Sequence, residues 1–161
     1  MNVSPTQPDL LSGHSLFEGT PASVLAPLSA LTRELHLSPG DVVFREGDPA
    51  DGLYLLAAGT VLIAATRESG DTALAHVNKN ELFGEMGVLD GEPRSGTATA
   101  VGLCVAYFIP AEPFLDVVEE SSAVGMRLLA NLAMRLRRMN GRLVELPAGA
   151  TFTAVKKEAG E

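Results

Sequence analysis

Between Gly40 and Pro110 the chain is interrupted every few residues by Gly, Pro, Asp or Asn, and the stretches left between these breaks are short and apolar. Such spacing suits short strands joined by tight turns. Asp41-Val42-Val43-Phe44 reads as a strand, Glu46-Gly47-Asp48-Pro49 as a turn, and Leu53-Tyr54-Leu55-Leu56 as the next strand. Gly59 opens a strand from Thr60 to Thr66, and Glu68-Ser69-Gly70-Asp71 forms a hairpin turn into Thr72 to Val77. Two further strands fall near Thr97 to Val101 and Cys104 to Ile109, a texture that belongs to a sandwich or barrel.

Helical periodicity flanks this core on both sides, so the expected class is α+β. From Ser15 to His36, Leu16, Phe17, Val24, Leu25, Leu28, Leu31 and Leu35 recur at helical spacings, with Thr20-Pro21 as cap and first-turn proline. Ser38-Pro39-Gly40 ends that segment. Ala111-Glu112-Pro113 opens a second helical region, and a longer helix is expected from about Ser121 to Leu146. Within it Leu129, Leu132, Leu136, Met139, Leu143 and Leu146 form a heptad seam, which either packs on the chain's own barrel or pairs with a second copy through residues 121–146. Arg127, Arg135, Arg137, Arg138 and Arg142 read as a solvated flank of that seam, or as a contact for an acidic partner. Three parts follow: a flexible N-terminus over 1–14, one domain over 15–146 (15–36 helical, 37–110 strands, 111–146 helical), and a flexible tail over 147–161.

The stretch from Phe83 to Ala100, FGEMGVLDGEPRSGTATA, carries the chemistry. Gly84 and Gly87 let backbone approach a ligand closely, and Glu85-Met86-Gly87-Val88-Leu89 can form a short helix whose first N–H groups lack an internal partner. Such groups suit phosphate. Arg94, set in direction by Pro93, offers a planar fork for two phosphate oxygens. An ionised Glu85 is acceptor-only, so beside a phosphate it must face a hydroxyl donor such as a ribose 2′-OH, or the arginine itself.

The order Phe83, Gly84, Glu85, Met86, Gly87, Val88, Leu89, then Pro93, Arg94, Ser95, Thr97, Ala98 and Ala100 resembles the phosphate-binding cassette of cyclic-nucleotide-binding domains, as found in cyclic-AMP receptor proteins and kinase regulatory subunits. The run EGDPADGLYLLAAGTV resembles the early-strand motif of the same family, which extends the resemblance over most of 15–145. The resemblance implies a β jelly roll with N-terminal helices and two C-terminal helices. It implies Glu85 on the ribose 2′-OH, Arg94 on the cyclic phosphate, and the backbones of Gly84, Gly87 and Ser95 completing the cradle. The candidate ligand residues are thus Gly84, Glu85, Met86, Gly87, Arg94 and Ser95. In the family it resembles, a serine directly after the arginine is common in bacterial cyclic-AMP receptors, so with Ser95 the resemblance implies cyclic AMP over cyclic GMP.

A net charge of −8 argues against nucleic acid as the main partner, and a tail of 15 residues after Leu146 is too short for the DNA-reading module that many bacterial relatives carry. The expectation is therefore a stand-alone sensor that signals to a protein effector through its C-terminal helix, with a ligand-free association scaffold as the alternative. The single Cys104 lies in an apolar run and reads as a structural thiol of a reducing cytoplasm. The N-terminal MNVSPTQPDLLSGHS has neither a basic start nor a continuous apolar core and is not expected to be a signal peptide, and no stretch approaches the length of a membrane span. His14, His36 and His76 are scattered, the first two reading as surface or helix-end residues, so neither a metal site nor catalysis is expected, and no cofactor.

Overall fold

The structure is a computed structural model and describes residues 2–5, 11–68 and 70–144. It divides into two units, Met1–Ser122 and Ala123–Glu161. In the first unit the described strands are β1 (Asn2–Pro5), β2 (Arg33–Leu37), β3 (Val42–Phe44), β4 (Gly52–Ala58), β5 (Thr60–Arg67), β6 (Gly70–Asn78), β7 (Leu82–Phe83), β8 (Thr97–Ala100) and β9 (Cys104–Pro110). Helix α1 (Ala22–Leu31) precedes β2, α2 (Glu85–Asp90) follows β7, and α3 (Ala111–Glu120) follows β9. The second unit is described by α4 (Ser122–Val144) alone.

Every strand pairing is antiparallel, and the strands form two sheets, β1-β2-β9-β4-β7 and β3-β8-β5-β6. The sheets face each other as a jelly roll. Leu35, Phe44, Tyr54, Leu56, Val61, Val77, Phe83, Ala98 and Phe108, drawn from both, close on one apolar core. Burial of this much apolar surface is the dominant favourable term for the fold. In β4 successive side chains alternate in direction, so Tyr54 and Leu56 enter this core while Leu53 and Leu55 point to the other face. There α1 and α3 lie over β4 and β9, burying Phe114 and Val117 of α3 and Leu25 and Leu28 of α1. Strands covered on both faces read as continuous apolar runs, which is why Leu53-Tyr54-Leu55-Leu56 does not alternate.

The hairpin of β5 and β6 runs in register from Thr60 opposite Asn78 to Arg67 opposite Gly70, shifted once between Ile63 and Ala64. Cys104 is buried, and its thiol donates to the Thr60 carbonyl at 3.2 Å.

Four expectations require correction. The helical segment placed over 15–36 holds a 3-10 turn at Ser15–Phe17 and the helix Ala22–Leu31, but Arg33–Leu37 is strand β2. Alternating burial along Arg-Glu-Leu-His-Leu puts Leu35 and Leu37 into the core, and tertiary pairing with β9 overrides the i, i+4 spacing of Leu31 and Leu35. Thr20 does not cap α1. Pro21 occupies that position without a side-chain bond, and the Thr20 hydroxyl is buried. His14 is buried rather than a surface residue. Its Nδ1 accepts from the Leu16 N–H at 3.1 Å, capping the 3-10 turn, and its Nε2 lies 3.1 Å from the Asn80 carbonyl. The N-terminal segment taken as flexible includes β1, which pairs with β2. Leu146 and the tail over 147–161 lie outside the described residues.

Candidate functional site

The cassette begins where β7 ends. Gly84 has φ +74°, the left-handed region, and turns the chain from β7 into α2. A Cβ there would stand 2.7 Å from Arg94 Nη1 and 3.1 Å from the Phe44 ring, so the position requires glycine on two counts. Gly87 also has a packing reason to be glycine. A Cβ on it would meet the Glu92 carbonyl at 2.5 Å and Ala50 at 2.6 Å, so its bareness lets α2 pack against the two turns beside it.

Arg94 is the centre of the site. Its side chain is only 2% exposed, yet it carries a permanent charge. Nη1 donates to the Gly84 carbonyl at 2.6 Å, and Nη2 donates to the Gly52 carbonyl at 2.7 Å and to Asp51 Oδ1 at 3.2 Å. The guanidinium lies 4.3 Å from the Phe44 ring centroid and 5.7 Å from that of Tyr54. Phe83 stacks on both Phe44 and Tyr54, which are tilted to each other, with the three centroids 5.0 to 6.1 Å apart. Burial among these rings pushes the Tyr54 hydroxyl above its ordinary pKa, and the Arg94 charge partly offsets that rise.

This compensation is incomplete. Nε of Arg94 is buried and makes no hydrogen bond among the described residues. Among the described residues the one carboxylate paired with the guanidinium, Asp51, is 71% exposed, so solvent screens the pair. A buried cation held by neutral carbonyls and one screened carboxylate favours an added anion.

The backbone around Arg94 is equally fixed. Its N–H donates to Asp48 O, its carbonyl accepts from Gly47 N–H, and both bonds are 2.9 Å. The β3–β4 turn therefore clasps the arginine from Gly47 to Gly52. The Asp51 carbonyl also accepts from Ala111 N–H at 3.0 Å, which ties this turn to the first residue of α3.

Of the candidate ligand residues, Gly84, Glu85, Gly87 and Arg94 come together within the fold. Glu85 is 2% exposed in the first turn of α2. Met86 and Ser95 are exposed on the cassette surface. Sequence reasoning missed Asp51, Gly52, Phe44 and Tyr54 as the surroundings of Arg94. The only signal for them lay in the run from Glu46 to Leu56, noted for its turns rather than for what those turns hold. A surface concavity of about 530 Å³ lined by residues including His36, Ser38, Leu103 and Cys104 shares none of the cassette residues. Among the described residues no three His, Cys, Asp or Glu side chains converge as a metal site, and no helix is long and apolar enough to cross a membrane.

The comparisons with known proteins meet this geometry. The CRP-like cAMP-activated global transcriptional regulator of Mycobacterium tuberculosis is 29% identical over 139 residues, covering 86% of this chain and 62% of that protein. The cyclic AMP receptor protein of Thermus thermophilus is 36% identical over 129 residues, covering 79% of this chain and 59% of that protein. The chain thus spans about three fifths of the length of these curated relatives. Among solved structures, the sensor domain of the transcriptional regulator DNR from Pseudomonas aeruginosa matches with a TM-score of 0.69 at 28% identity, covering 88% of this chain and 94% of that one. The Thermus thermophilus catabolite activator protein matches with a TM-score of 0.67 at 32% identity, covering 81% of this chain and 62% of that one. The profile of the cyclic nucleotide-binding domain matches residues 34–121, more than half of the chain and reaching from within β2 past the end of α3, and the chain belongs to that family.

Proposed function

We propose that the chain is a sensor of a 3′,5′-cyclic nucleotide, with cyclic AMP preferred over cyclic GMP, and that it signals to a partner protein through α4. The observation that carries this reading is Arg94, a buried cation whose charge the protein compensates only in part. A cyclic phosphate supplies the missing anion, and Glu85 one residue beyond Gly84 supplies an acceptor for the ribose 2′-OH. Met86 and Ser95 flank the entrance, and the purine lies against apolar strand residues. The preference for cyclic AMP draws on Ser95 and on relatives whose names specify that nucleotide.

The chemistry is binding, without a catalytic step. A ligand shifts a conformational equilibrium only by its differential affinity for two states. Arg94 is bonded to Gly52 and Asp51, and Asp51 to the start of α3, so an anion that draws Arg94 away acts on α3 directly.

One observation favours the second reading, a ligand-free scaffold that works by protein association. Two carbonyls, one carboxylate and two aromatic rings already surround the Arg94 guanidinium. Calorimetric titration with cyclic AMP and cyclic GMP separates the two. A sensor binds at micromolar concentration or tighter, and Arg94→Lys, which keeps the charge and loses the fork, weakens binding by about 1.5–3 kcal/mol. Silence with both nucleotides, from protein that melts cooperatively, establishes the scaffold.

A further inference from the structure

Strand β8 pairs with β5 from Ala100 opposite Val61 to Thr97 opposite Ala64. Two more residues in the same register would set Ser95 opposite Thr66, but the ladder stops and the chain bends at Ser95 and Gly96. That departure carries Arg94 off the sheet toward the Gly52 and Gly84 carbonyls. It also removes the strand that would have met the Thr66 N–H, and Glu46 takes its place: Oε2 accepts from Thr66 N–H at 2.8 Å. We infer that Glu46 is a positioning residue for the anion site, a side chain that stands in for β8 beside Thr66 and so keeps Arg94 and Ser95 in the cassette. The inference rests on the reading of Arg94 as the ligand of a cyclic phosphate and adds the residue that holds Arg94 in place.

Glu46 joins three parts of the sheet. Its N–H donates to Thr97 Oγ1 at 3.0 Å, at the end of β8 nearest the cassette, and its Oε1 accepts from Arg67 Nη1 at 3.2 Å, at the end of β5. The next residue, Gly47, donates its N–H to the Arg94 carbonyl, and the Asp48 carbonyl accepts from the Arg94 N–H. Asp48 Oδ2 closes this turn on the Arg45 N–H at 2.8 Å. Both bonds that fix the Arg94 backbone therefore lie within two residues of Glu46. Gly96 marks where the strands part. A Cβ there would stand 2.9 Å from the Ala64 carbonyl oxygen and 3.1 Å from Ile63 Cγ2, so β8 presses on β5 immediately before it leaves.

The acceptor oxygen of Glu46, not its charge, does this work. The Arg67 side chain is 53% exposed and that of Glu46 33%, so solvent screens the ion pair and it contributes little. The bond to the Thr66 N–H replaces a ladder bond, and a neutral amide oxygen of the same reach can accept it equally. Glutamine at this position therefore preserves the arrangement, whereas alanine leaves the Thr66 N–H unmet and frees the turn that clasps Arg94.

The test uses the full chain, with calorimetric titration of cyclic AMP and amide hydrogen exchange of the ligand-free protein. Glu46→Ala is expected to weaken binding about tenfold, the cost of a loosened support around a binding group. Glu46→Gln and Arg67→Ala are expected to stay within about twofold of the native chain. In an Arg94→Lys background Glu46→Ala should cost much less, because the effect passes through the arginine fork and the two changes are not additive. In exchange, the Arg94 and Gly47 amides should lose protection in Glu46→Ala and regain it in Glu46→Gln, while the amides of β4 and β9 keep theirs. Native affinity in Glu46→Ala, no rescue by glutamine, an undiminished loss in the Arg94→Lys background, or loss of protection throughout β4 and β9 would each overturn the inference. If the native chain binds neither cyclic nucleotide, the sensor reading falls by itself, and exchange at Arg94 and Gly47 still decides whether Glu46 holds the arginine in place.

Discussion

Arg94 illustrates how a single residue sets the requirements of its neighbours. The guanidinium needs room above Phe44, and that room exists because Gly84 has no side chain. Gly84→Ala would add both a left-handed backbone penalty of about 1–2 kcal/mol and a contact with Nη1, so thermal melts should show a loss at least that large. Nucleotide affinity should fall with it, because Arg94 must move. His14 makes a separate prediction. Burial lowers its pKa below the ordinary 6.5, and Nδ1 can accept from Leu16 only while unprotonated. The unfolded chain therefore takes up a proton first as pH falls, so stability is complete above pH 6.5 and declines below it. Melting temperature measured from pH 7.5 to 5.5 should fall in the native chain and fall less steeply in His14→Gln. At this scale the sequence singled out Gly84, Glu85 and Arg94 by residue type at close spacing, and the fold gathers them at the start of α2. It was silent on Asp51, whose contact with Arg94 spans 43 positions and obeys no local period. His14 was misread for the same reason, since its burial depends on Asn80, 66 positions away.

Among the elements, the β3–β4 turn stands between the cassette and α3. It holds Arg94 through the Gly47, Asp48, Asp51 and Gly52 backbone and side-chain groups, and it holds Ala111 through the Asp51 carbonyl. The carboxylate of Asp51 competes with any anion for the guanidinium, while its carbonyl does not. Asp51→Asn thus separates the two roles. Removing one screened charge a few ångströms away is worth roughly 1 kcal/mol in a solvent-like dielectric, so nucleotide affinity should rise about two- to fivefold by calorimetry. A fall in affinity would instead assign Asp51 the task of orienting Arg94. The elements themselves were largely legible. Strands β4, β5, β6, β8 and β9 and helix α2 fall within a few residues of their expected positions, because turn residues bound them on both sides. The two-residue β7 gives no periodicity to read, and β2 carries leucines at a spacing that helix and strand share. Which of the two forms is decided by β9, a partner some 70 positions away that no local window contains.

For the molecule as a whole, the net charge of −8 opposes the approach of an anionic ligand, while Arg94, the cation proposed to receive it, is buried. Long-range repulsion acts on the encounter and is screened over about 8 Å at physiological ionic strength. The contact with Arg94 acts after arrival, and burial shields it from salt. The two contributions therefore separate in kinetics. The association rate of a fluorescent cyclic nucleotide, measured by stopped flow, should rise about two- to threefold as salt increases from low to physiological concentration, with the dissociation rate nearly unchanged. Most ligand sites for phosphate behave in the opposite way, because a positive surface draws the anion in. An association rate that falls with salt would show that the field at the cassette is positive despite the acidic surroundings. Arg94→Lys should leave the salt slope in place while raising the dissociation rate, because it keeps the charge and alters only the fork.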